Sequence, residues 1–245
     1  MKFEHIPVID TMIDFYQKPR DMARFKNYLQ TLTGEDNSKM ELPIMGFNPM
    51  AKEHVLAKLL ALKALNVDKI IEETVAQINN NLKVLKDDKY KVVINLSDDL
   101  KGGWTDFFTT DYSCKFKIKN LAKRYFCVPF LWVSQEYNQE NIRQVIQEFC
   151  YRTVYFTQNT LNETLEDHIN QEIFIAKNTK SSTLLTKSEF EHLNVFYMTH
   201  KNSTHFPLIL NFLYSDTASE KLGYPILGIN TKMAGFEFAK ALAKL

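Results

Sequence analysis

Two short runs dominate the hydrophobic pattern. Residues 90–96, Tyr-Lys-Val-Val-Ile-Asn-Leu, and 128–133, Val-Pro-Phe-Leu-Trp-Val, are β-branched, aromatic and nearly continuous in apolar side chains. Runs of that length between polar turns predict strands buried on both faces. Between them lie a polar loop, 97–106, and a segment at 116–126 that predicts a connecting helix. Strand, helix and strand in that order imply a parallel pair with a right-handed crossover. From 97 to the helix expected at 116 the connection is about 20 residues long, beyond the ~12–15 of an ordinary one, and loops of such length are often functional.

Elsewhere the period is helical. A short helix is expected over 10–17. A second, starting at Pro19, carries Met22, Phe25, Leu29 and Leu32 at steps of three and four, with Gly34 placed to cap it. Asn48-Pro49 reads as a cap and first helical residue ahead of Val55, Leu56, Leu59, Leu60 and Leu62. Ile71, Val75, Ile78, Leu82 and Leu85 mark a helix over 68–85. Further helices are expected over 139–158, 161–177, 207–214 and 232–245. One from 188 to 198 opens on the capping box Ser188–Glu191. Segments 42–47 and 225–229 predict two more strands, with Pro43 placing the first at an edge or a strand start. The pattern predicts an α/β fold: a helix-rich single domain, 1–245, around a small, mainly parallel β-sheet. The polar run 178–187 is the best place for a weak subdivision.

Composition narrows the function classes. Thirty Lys and Arg face 29 Asp and Glu, a formal charge of +1, which carries no strong nucleic-acid signal. No run of apolar residues is long enough for a membrane helix, and the first residues lack a secretory pattern. Three widely spaced cysteines fit neither a disulfide framework nor a zinc ribbon, so reduced thiols and a cytoplasmic location are expected. Seven glycines are few against an average of about 7%, so the pair Gly102-Gly103 is conspicuous and a nucleotide-binding loop is disfavoured.

Ligands of open α/β sheets collect beyond the carboxyl ends of the strands. Those ends carry Asn48, Lys52, Glu53 and His54; then Asp98, Asp99, Lys101, Gly102, Gly103, Trp104 and Thr105; then Ser134, Gln135 and Glu136. Glycine amides can form an anion nest. Lys52, Lys101 and Thr105 would add donors, the helix start at Asn48-Pro49 a positive dipole end, and Trp104 a stacking wall. The same Gly pair also suits a plain tight turn. Asp98 and Asp99 suit an acid, a base or ligands of a divalent cation, or a solvated turn. Arg152 and His168 sit beside apolar helical stripes. Arg152 is expected to pair with Glu172 across two helices, or with His168 to bind an anion. His54 or His168 would move protons.

Two functions follow. One is an enzyme, a hydrolase or group transferase, acting at the strand-end loop 97–111 on a small anionic metabolite, with or without a phosphate. The other is a non-catalytic interaction protein using the apolar segment 206–214 and the basic helix 115–124. A broad exposed apolar patch on 206–214 would favour the second.

Overall fold

A residue that cannot donate a hydrogen bond divides the central strands. The computed structural model of the protein describes residues 1–34, 40–82, 88–100, 105–159 and 163–245. It opens with β1 (Lys2–His5), α1 (Ile9–Gln17), α2 (Met22–Thr33), α3 (Glu53–Ala64) and α4 (Val67–Asn81). The centre follows as β2 (Lys89–Val92), β3 (Asn95–Ser97), α5 (Phe107–Phe116), α6 (Lys119–Ala122), β4 (Phe126–Cys127) and β5 (Phe130–Trp132). Lys91, Val93 and Asn95 each donate a backbone N–H across, to the carbonyls of Tyr125, Cys127 and Pro129 at 2.8, 3.0 and 2.8 Å. The returning donor at position 129 would be a proline nitrogen, which has no hydrogen. The ladder therefore splits into a three-stranded sheet, β1-β2-β4, and a two-stranded sheet, β3-β5. All the strand pairs are parallel. The fold is helix-rich α/β around small parallel sheets.

The crossover differs from the expected helix at 116–126. Asp106 accepts from the Thr109 amide at 3.0 Å and starts α5 at Phe107, so the second half of the anticipated loop is helix. β1 goes unpredicted. Its polar–apolar alternation covers only four residues, yet it pairs from Lys2 opposite Lys89 to His5 opposite Val92. As an edge strand it would leave an outer row of backbone groups open. The Asn79 side chain fills that place at Phe3. Its Oδ1 accepts the Phe3 N–H and its Nδ2 donates to the Phe3 carbonyl, both at 2.8 Å.

Segment 42–47 is not a strand. It runs beside β3 on side-chain bonds instead: Asn95 Nδ2 donates to the Pro43 carbonyl at 3.2 Å and Ser97 Oγ to the Gly46 carbonyl at 3.0 Å. Ile44 and Phe47 are fully buried there. Gly46 is required, because a Cβ would stand 2.6 Å from Phe130 and 2.7 Å from Ser97 Oγ. The expected inner face of the second helix is also corrected. Met22 is 65% and Leu29 44% exposed, while Arg24 and Tyr28 are buried. The apolar stripe loses because both polar side chains find acceptors: the Arg24 guanidinium donates to the Lys18, Pro19 and Pro49 carbonyls, and Tyr28 donates to the Ile44 carbonyl.

The last helix of this half, α7 (Gln139–Gln158), matches its expected span. The chain divides into two compact units, Met1–Cys150 and Tyr151–Leu245, at a point inside α7. The second unit continues with α8 (Leu165–Thr179), α9 (Lys187–His200), α10 (Phe206–Tyr214), α11 (Asp216–Leu222) and α12 (Ala234–Leu242). Capping boxes set two starts. Thr164 with Asp167 opens α8 after the expected residue 161, and Thr186 with Glu189 opens α9, upstream of the expected Ser188–Glu191 pair. Segment 225–229 is not a strand; the Asp216 carboxylate takes the Leu227 and Gly228 amides at 3.0 Å each. α10 lies in the core of its unit, with Leu210 and Phe212 at zero exposure. The apolar segment 206–214 is thus internal packing and not the exposed partner surface expected of it. Among the described residues no helix is long and apolar enough to cross a membrane.

Candidate functional site

β3 ends at Ser97, and Asp98 follows at its carboxyl end, 3% exposed. One carboxylate oxygen accepts the Leu100 amide at 3.1 Å, which turns the chain. The other lies 2.8 Å from His54 Nε2. With the carboxylate as acceptor, this contact suits the tautomer that carries its proton on Nε2. The opposite ring nitrogen, Nδ1, is buried and has no hydrogen-bond partner among the described residues. Thr105 Oγ1 donates to the Asp98 carbonyl at 2.8 Å and closes the base of the loop.

The neighbouring Asp99 binds the segment after β5. Its two oxygens take the Ser134 N–H at 3.0 Å and the Ser134 hydroxyl at 2.5 Å. Lys58 lies one helical turn beyond His54 on α3, hence on the same face. It donates to the Gln135 carbonyl at 2.8 Å and to Glu136 at 2.9 Å. Tyr137 accepts the Trp132 amide at 2.7 Å and donates to Gln135 at 3.0 Å. Burial raises its phenol above the ordinary value, opposed by the Trp132 amide. Three sequence-distant segments therefore meet beyond β3 and β5: the start of α3, residues 98–100, and residues 134–137.

Tyr16 belongs to the same neighbourhood. Burial lifts its phenol well above its ordinary value, the Arg24 cation pulls it down, and the charge of Asp98 pushes it up again. Its hydroxyl donates to the Asn48 carbonyl at 2.9 Å, and Arg24 stacks 5.4 Å over its ring. The sequence pattern did not single out Tyr16, Arg24, Lys58 or Tyr137 as site residues. Only Lys58 left a signal, its four-residue spacing from His54.

The other expected residues fall as follows. Asn48-Pro49 does not start a helix. Asn48 Oδ1 accepts the Met50 amide at 2.9 Å, and α3 begins at Glu53 behind an exposed Lys52. The positive helix end thus faces Glu53, an acid of its own first turn, which answers the dipole internally. Lys101, Gly102, Gly103 and Trp104 lie outside the described residues. Arg152 and His168 belong to the second unit. Arg152 pairs with Glu172, and His168 Nδ1 donates to the Thr164 carbonyl at 2.6 Å. In the basic segment 115–124, Lys115 pairs with Asp111 at 2.6 Å and Lys117 sits over the Tyr112 ring. Lys115 is thereby drawn into the fold, while Lys117 remains exposed. The segment itself is two helix pieces, the end of α5 and α6, and not one basic helix.

As chemistry, the arrangement offers an imidazole oriented by a buried carboxylate, a hydroxyl held by a second carboxylate, and an ammonium. Among the described residues no three His, Cys, Asp or Glu side chains group so as to hold a metal ion. In comparisons with protein-family models, with curated proteins and with solved structures, nothing matches the chain.

Proposed function

We propose that the carboxyl ends of β3 and β5 carry an enzyme site for hydrolysis or group transfer on a small anionic, phosphorylated substrate. His54 is its general acid–base. The observation that carries this reading is the 2.8 Å bond between His54 Nε2 and the buried Asp98. A carboxylate that orients one ring nitrogen leaves the other to take and return a proton. Asp98 is the positioning residue. The substrate's negative charge meets two carboxylates already engaged, Asp98 by His54 and Leu100, Asp99 by Ser134. Engagement of this kind lowers the repulsion an anion feels. Lys52 and Lys101 are the cations assigned to it.

The test is turnover of chromogenic phosphate monoesters and acyl esters, alongside thermal shifts with inorganic phosphate and with divalent cations. His54→Gln is expected to lower turnover ~10²–10⁴-fold, the range of general acid–base contributions, with the far-UV spectrum unchanged. Phosphate is expected to raise the melting temperature, because it binds only the folded form. Equal turnover in wild type and His54→Gln, or no thermal response to any anion, removes the reading.

A further inference from the structure

Along the outer edge of β1, against α4, runs a half-open groove of about 750 Å³. That lies within the ~300–1,000 Å³ of small-molecule sites. Phe3, Pro7, Val75 and Ala76 give it an apolar floor, and Glu4, Asp68 and Glu72 an acidic rim. Asn79 also lines it, but its amide is committed to Phe3 on both sides.

Two of the three rim carboxylates are unpaired among the described residues. Among the described residues Glu4 and Glu72 have neither an ion pair nor a hydrogen bond, and both are exposed. Lys69, the cation on this wall, turns instead toward Glu73, at 4.0 Å. His5 is 8% exposed in its side chain, and its Nε2 approaches Asp68 Oδ1 at 3.2 Å. Both atoms are buried, yet neither completes a hydrogen bond among the described residues. Strand alternation turns the His5 carbonyl to the same outer edge as that of Phe3. The groove thus combines a surplus of acceptors and negative charge with an apolar bed.

We infer that this groove binds a small organic amine, with its hydrocarbon body on Phe3, Pro7 and Val75 and its ammonium among Glu4, Asp68 and Glu72. An ammonium brings three donors and one positive charge, which fits the unpaired carboxylates of Glu4 and Glu72. A hard inorganic cation would leave the apolar bed unused and needs six or more oxygens. An anion would meet three carboxylates.

Hexylamine is the probe, titrated into the full-length chain by calorimetry and by backbone amide NMR. It is expected to bind, shifting the resonances of Val75 and Ala76, whereas hexanol and hexanoate leave them in place. Glu4→Gln and Glu72→Gln should each weaken hexylamine by roughly two- to fivefold, the range of exposed ion pairs. Together they should weaken it roughly four- to 25-fold, the product of the two effects. Four results would overturn the inference: no hexylamine binding, equal binding of hexanol, wild-type affinity in the double variant, or the same response to magnesium chloride. Circular dichroism of the double variant separates lost binding from lost folding.

Discussion

Arg152 Nη2 lies 2.8 and 2.7 Å from the two carboxylate oxygens of Glu172, with the side chains 1% and 6% exposed. Gln171 Nε2 adds a contact to the same carboxylate at 3.2 Å. Two charges withdrawn from water hold each other, and removing one strands the other. Arg152→Met alone, or Glu172→Leu alone, is expected to cost about 3–5 kcal/mol. The double replacement should cost far less than the sum, because no isolated charge is left. Urea unfolding followed by circular dichroism measures both, and a single variant as stable as wild type would contradict the coupling.

Gly46→Ala should disturb the segment that leads to His54. The added methyl enters space held by Phe130 and Ser97 Oγ, both closer than 3.0 Å. Overpacking of this kind costs about 1–3 kcal/mol, and the displaced segment should also loosen the His54–Asp98 bond. The imidazole resonances of His54 report the second effect, thermal unfolding the first. An unchanged melting temperature would mean the backbone there yields freely.

Asn79→Ala removes both bonds to Phe3 and uncovers the edge of β1. The expected loss is about 1–3 kcal/mol, from two hydrogen bonds of ~0.5–1.5 kcal/mol each. Self-association that rises with protein concentration should accompany it, since an open edge pairs with other edges. Sedimentation velocity across a concentration series decides this. A monomeric variant would assign the protection of β1 to α4 alone.

Acid should weaken the protein in two separate ranges. Burial lowers the His168 imidazole below its ordinary 6.5, opposed by the Thr164 carbonyl and by Asp167 and Glu172. The unfolded chain then binds the proton more readily. This contribution to stability is complete above 6.5 and is lost as pH falls through the folded value. Burial alone would raise Asp216, but hydrogen bonds from Asn211, Leu227 and Gly228 outweigh it and bring the carboxyl below its ordinary 3.8. Its contribution is complete above 3.8 and is lost as pH falls through the lower folded value. Unfolding free energies from neutral pH down into the carboxylate range should show the upper slope flattened by His168→Gln and the lower by Asp216→Asn. If neither variant alters the pH profile, the two groups do not control it.

How far the sequence discloses this molecule depends on the range of the forces involved. Helices were legible wherever one face repeated locally: α4 and α7 follow the spacing of Ile71, Val75, Ile78 and of Ile142, Ile146, Phe149. The parallel pairing of the two apolar runs was legible for the same reason. The role of Pro129 was not, because a missing donor acts only once a partner strand is in place. α2 misled because its buried Arg24 and Tyr28 are satisfied by carbonyls of Lys18, Pro19, Ile44 and Pro49, far from any local period. Within the site, the expected meeting of residues near 54, 98 and 134 is present in the fold. The first of those segments arrives without being a strand. Tyr16 stayed hidden because its partner, Asn48, lies at long sequence range, and Lys58, whose partner is the distant Glu136, left only its spacing from His54 as a sign.

Backbone ladders can slip: a strand displaced along its neighbour finds equivalent partners at the next position. Segment 42–47 has no such freedom, since two different side chains, Asn95 and Ser97, each reach one particular carbonyl of it. They act as two unlike keys in two locks, and no shifted alignment satisfies both. The segment leads directly into α3, so any play in those keys is carried along the chain to His54. Catalytic groups lose rate by orders of magnitude when misplaced by about 1 Å. The tolerance of the His54–Asp98 alignment is therefore set on the far side of β3, by an amide and a hydroxyl that touch neither partner.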